Sequence, residues 1–111
     1  MKLRSIKTRV MHDDDPDASY LQQKGFEDRL EQYQNGVFGF VGVDAIAIIV
    51  DSNNVLQEVR SGGIWGIESD FNDGIEDYRQ EELDALYDTL DRDYGMIRSE
   101  VEKFIVERDD Q

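Results

Sequence analysis

Residues 37–50, VFGFVGVDAIAIIV, are apolar at almost every position, in a chain of which 34% is charged. A run this rich in β-branched and aromatic residues reads as a strand buried on both faces, central in a sheet or carrying an interface. The polar cluster Asp51-Ser52-Asn53-Asn54 that follows is turn chemistry, and Val55 to Ser61 reads as the return strand. Residues 37–61 are therefore expected to form a β-hairpin. Gly39 and Gly42 inside it point to a bulge or a close backbone approach. A third strand is expected near residues 2–11, where Ile6, Thr8 and Val10 alternate with Lys7 and Arg9.

The rest of the chain carries helical signals. Asp15 before Pro16 suggests a cap and a first helical position, opening a short helix through Tyr20 and Leu21 that stops near Gly25. Phe26, Leu30 and Tyr33 make the apolar stripe of a second helix, closed by Asn35-Gly36. SGGIWGIESD, residues 61–70, reads as a Gly-rich turn. Residues 73–94 read as a long helix with Ile75, Tyr78, Leu83, Leu86, Tyr87, Leu90 and Tyr94 near helical spacing, capped by Asp70 or Asn72 and stopped by Gly95. Ser99-x-x-Glu102 has the form of a capping box for a last helix holding Ile97, Val101, Phe104, Ile105 and Arg108, before a frayed tail at 109–111. The expected architecture is a single α+β domain over 1–111. Three antiparallel strands, near 2–11, 37–50 and 55–61, pack against amphipathic helices, with the strand order left open.

Composition narrows the function classes. The formal charge is −14, divided as −3 up to Ile67 and −11 from Glu68 onward. Such a chain is not expected to bind nucleic acid or an anionic membrane directly. No cysteine is present, which removes thiolate metal sites, disulfides and cysteine chemistry. No apolar run approaches the ~18 residues of a membrane span, and the first ten residues lack the apolar core of a signal peptide.

The side-chain chemistry gives no reaction. His12 beside Asp13, Asp14 and Asp15 has the ingredients of a metal cluster, but adjacent residues at a strand end diverge and no second His is available. Asp70-x-Asn72-Asp73-Gly74 misses the calcium-loop register, because the Gly falls one position early. The Gly-rich turn lacks both the Walker and the dinucleotide spacings. His12 has no marked Ser partner, and abundant carboxylates do not by themselves define an acid–base pair. The expectation is a protein without catalytic residues, metal or cofactor. Trp65 is expected to pack on the core, with partner binding as the alternative.

The acidic helix is the most informative feature. Asp77, Glu81, Asp84, Asp88 and Asp91 recur at steps of three or four, forming one row opposite Leu83, Leu86 and Leu90. Residues 73–94 carry a net −7 over about 33 Å, one charge per ~5 Å against one per ~1.7 Å in duplex DNA. Mimicry of nucleic acid therefore requires Asp13–Asp17 and Glu100, Glu102 or Glu107 on the same side. A solvated face tuned for solubility is the competing reading. A second candidate surface is the strand face carrying Asp44, Ile46 and Ile48, an apolar patch suited to a homodimer if no helix covers it.

DPDASYL (15–21) with GFEDRLEQY (25–33), GVFGFVGVDAIA (36–47), and SGGIWGIESD (61–70) before an acidic helix give residues 15–90 a likeness to a family. The chain resembles small acidic proteins, without assigned activity, encoded by bacteriophages and other mobile elements. The resemblance supplies no catalytic residues. It implies a host-facing or accessory role without naming one; taken with the acidic row, the expectation is an accessory protein in the host cytoplasm that binds a basic host protein, such as a defence nuclease, as an acidic inhibitor of the anti-restriction or anti-CRISPR kind. The contrasting expectation is a small homo-oligomeric structural or regulatory module whose acidity only keeps it in solution.

Overall fold

The apolar run becomes the spine of a mixed α+β fold. The computed structural model describes residues 1–110. Strand β1, Lys2–His12, and strand β2, Phe40–Val50, pair antiparallel from Lys2 opposite Val50 to His12 opposite Val41. Strand β3, Leu56–Arg60, returns antiparallel along the other edge of β2. Asp51 builds the turn between them: its Oδ1 accepts the N–H groups of Asn53 and Val55 at 2.8 and 3.0 Å, and Asn54 takes a φ of 63°.

Among the described residues the sheet has five strands, not the three expected from the pattern. Strand β4, Ile64–Glu68, lies inside the Gly-rich stretch read as a turn and pairs with the first residues of β2. The pairing slips at Gly42, between Val41 and Val43. Strand β5, Val106–Asp110, runs parallel to β1 where the spacing suggested a helix and then a frayed tail. It escapes notice because it holds one apolar residue, Val106. Ion pairs secure it: Lys7 to Asp109, Arg79 to Asp110, and Arg108 to Glu76. Gln111, the end of the expected tail, lies outside the described residues.

The helices also depart from the sequence reading at their starts. The segment after Asp15-Pro16 makes a single 3₁₀ turn, Ser19–Gln22. Asp13 and Asp17 there accept the N–H groups of Asp15 and Ser19, so the Asp run closes small turns and caps no helix. Helix α1 spans Glu27–Gln34 and α2 spans Asn72–Tyr94. Phe71 sits at the N-cap of α2 without a side-chain cap, because Asp70 is held by Arg29. At the other end Gly95 takes a φ of 65° and its N–H donates to the Asp91 carbonyl, closing the helix. Helix α3 is one turn, Arg98–Val101, without the expected capping box: Glu102 accepts from Arg98, at 2.6 Å, and leaves Ser99 uncapped.

Alternation along β2 splits the packing between two faces. Val43, Ala45, Ala47 and Ile49 face α2, where Ile6, Leu86, Leu90 and Val101 complete the main core. Each fully buried Leu or Ile there contributes about 1.5–3 kcal/mol. On the opposite face, Phe40 joins Leu21, Phe38, Leu30 and Tyr33 in a second core that seats α1 at one end of the sheet. Arg29 lies 3.8 Å over the Phe38 ring and pairs with Glu68 and Asp70, tying α1 to β4. Among the described residues no helix lies over the remainder of that face. The molecule is long, 55 × 24 × 21 Å, because α1 sits beyond the span covered by α2. No helix among the described residues is long and apolar enough to cross a membrane.

Candidate functional site

α2 turns Ile75, Leu86 and Leu90 onto the sheet, so the residues half a turn away face solvent. Asp77, Glu81, Asp84, Asp88 and Asp91 form the outward row, with Asp84 half-buried and the other four exposed. Asp77, Glu81 and Asp91 have no ion-pair partner among the described residues. Arg98, at the start of α3, reaches back over the middle of the row, 2.7 Å from Asp84 and 3.5 Å from Asp88. Hydrogen bonds from its guanidinium to Glu102, then to Asp84, raise the Arg98 pKa. The ridge is thus five carboxylates joined by Glu102 and interrupted by one arginine. The Arg98–Glu102 pair has a readable i,i+4 spacing. The reach from Arg98 to Asp84 depends on the turn at Gly95 and carries no local signal.

The other acids do not converge on this ridge. Asp13 is at the far end of β1, where it accepts from the Gly66 N–H at 3.0 Å. Glu100 lines a cleft with Met1, Lys2 and Leu3 at the opposite end of β1, about 35 Å away at ~3.3 Å per residue. Glu107 faces Lys7 on the side of the sheet turned away from α2. Only Glu102 joins the row. The surface is one helix wide.

Trp65 is on the other face of the sheet. A bulged β4 lays its indole against Gly42, where any Cβ would collide with the ring, and 51% of the residue remains exposed. The expectation that Trp65 packs on the core is corrected to packing on the bare strand at Gly42, outside the buried clusters. Asp44 lies on the same face, 2.8 Å from Arg9 Nε and largely buried by that pair. Ile46 is 2% exposed although no helix among the described residues covers it, and Lys7 and Arg60 flank it directly across the neighbouring strands. Ile48 is half-buried. Little of the Asp44, Ile46 and Ile48 stripe is left open for a second chain.

Two further polar centres went unread in the sequence. Glu82, on the inner side of α2, accepts from the Ser61 hydroxyl at 2.8 Å and the Gly63 N–H at 2.6 Å, pinning the β3–β4 turn to the helix. Tyr20 donates to Glu68 at 2.6 Å, and burial followed by that hydrogen bond pushes its phenol up to about 12. Both are fully partnered inside the chain. His12 stands 3.6 Å from Asp14 with both side chains exposed, and Asp70 is bound to Arg29. Comparison of the chain with family models, with curated proteins and with solved structures finds no match.

Proposed function

We propose that this chain is a non-catalytic binding module that offers the outer row of α2 to a basic protein surface. The observation that carries the reading is the geometry of α2: carboxylates at steps of three or four on one exposed line, three of them unpaired. A single line of charge suits a narrow groove or one row of Lys and Arg side chains, the kind of surface that holds one nucleic-acid strand. It does not reproduce the charge density of a duplex, about one per 1.7 Å. In the proposed mechanism Asp77, Glu81, Asp84, Asp88 and Asp91 compete with phosphates for those cations, and binding weakens steeply as salt rises. The likeness to phage and mobile-element proteins makes a host defence nuclease the first partner class to try. Trp65, on the opposite face, takes no part in this contact.

The test is capture from bacterial host lysate by the immobilised chain and by an Asp77→Asn/Glu81→Gln/Asp91→Asn variant, with bound proteins identified. Basic nucleic-acid-binding proteins should be retained at low salt and lost both at about 0.5 M salt, where screening is strong, and on the variant. Retention of only neutral or acidic proteins, or equal retention by the variant, ends the proposal.

A further inference from the structure

Exposed apolar side chains gather at one end of the molecule. Met1, Ile97 and Ile105 are 64, 63 and 87% exposed, and Val55, Leu56 and Phe104 are also open to solvent. They surround the start of β1, the β2–β3 turn and α3. Met1, Leu3, Met96, Ile97, Val101 and Phe104 line a cleft of about 460 Å³ there, and a second hollow continues from Met1 and Lys2 to Val50 and Asn54. Their combined exposed area is on the order of 500 Å², the size at which an apolar patch marks an interaction site.

The charge around this patch differs from that of the rest of the chain. Lys2, Arg4, Arg92, Arg98 and Lys103 stand against Asp51, Asp91, Asp93, Glu100 and Glu102, and Lys103 and Glu100 pair at 3.2 Å. The opposite end carries Asp13, Asp14, Asp15, Asp17, Glu27, Asp28 and Glu31 against Lys24 and Arg29. Two molecules of charge −14 repel wherever acidic surfaces meet. At this end near-neutral charge coincides with uncovered apolar area. Balanced charge of this kind gives a basic partner no net attraction, whereas a second copy brings a matching apolar surface and no net repulsion. We infer that the end formed by Met1, Ile97, Phe104 and Ile105 is where a second copy of this chain docks, giving an end-to-end dimer. A patch of this size plus its polar surround approaches the ~800 Å² per partner of a standard interface, so the dimer is modest in strength.

Sedimentation of the full chain, from micromolar into the hundreds of micromolar, tests this directly. The mass should rise from the 12.9 kDa of one chain toward twice that value. Ile105→Glu and the uncharged Ile105→Ser both alter a fully exposed side chain, and each should weaken association by about tenfold or more, a loss of ~1.4 kcal/mol. Trp65→Ala, on a distant face, should leave it unchanged. Salt gives an independent sign: about 0.5 M salt screens repulsion between the copies and should strengthen the dimer, while it weakens capture of basic proteins by α2. A chain that stays monomeric throughout, or Ile105 variants that associate as well as the parent, overturns the inference without touching the ridge.

Discussion

Gly42 and Trp65 are bound to each other by shape. The indole fills the space over a residue that has no side chain, so Gly42→Ala must displace either the ring or strand β4. We expect that substitution to cost about 1–3 kcal/mol, read by chemical denaturation. Sequence showed Gly42 as a place of close approach but gave no sign of what approaches, since its partner is in another strand. The joint between α1 and β4 makes a pH prediction. Hydrogen bonds from Arg29 hold the Asp70 carboxyl below the usual range, so its contribution is present above the ordinary carboxylate pKa and fades as pH falls through the depressed value. Tyr20 works in the opposite sense. Its folded pKa of about 12 exceeds the ordinary 10.0, so the protonated phenol's contribution is complete below pH 10 and is lost between there and about 12. Protection of the amides of residues 27–34, taken relative to the unprotected exchange rate at each pH, should therefore fall at both extremes, and Tyr20→Phe should abolish the alkaline loss of protection.

Helix α2 holds its acidic row against its own repulsion, and packing of Leu86, Leu90 and Ile75 offsets that cost. Glu81→Gln relieves like-charge neighbours at Asp77 and Asp84, and should raise stability by about 0.5 kcal/mol while weakening any contact with a basic surface. An increase in midpoint together with a loss of capture is the pattern to look for. Strand β5 depends on charge in a more direct way. Arg79, buried in α2, donates to Thr8 at 3.1 Å and to Asp110 at 2.6 Å. Arg79→Met keeps most of the packing and removes those bonds, so amide exchange over 106–110 should rise well before the rest of the sheet opens. These elements were unequally legible. α2 and the hairpin announce themselves through long apolar periodicity, whereas β5 has one apolar side chain in five residues and β4 is five residues set among glycines that read as a turn. Their place comes from ion pairs and a turn fixed by Glu82, which link positions far apart in the chain.

The radius of gyration is 17.1 Å, against about 13 Å for a compact domain of this length. Low-angle scattering at low concentration should return a value near the larger figure, and a value near the smaller one would mean that α1 folds back over the open face. The α+β class was readable from periodicity alone, because strand and helix patterns occupy separate, long segments. The extended outline was not, since it follows from Phe38 and Phe40 building their core on the face opposite α2, and a strand that is apolar on both sides does not say which neighbour takes which side. The acidic row was legible as a line on a helix. That the Asp13–Asp17 run instead spends its carboxylates on its own turns and on the Gly66 N–H of β4 is a tertiary outcome that its spacing does not carry. One practical consequence follows from the placement of the single tryptophan. Half-open and seated beside β4, close to the root of the α1 arm, Trp65 is a native fluorophore for that joint, so its emission reports arm movement without a label and is silent on events along the far side of the sheet.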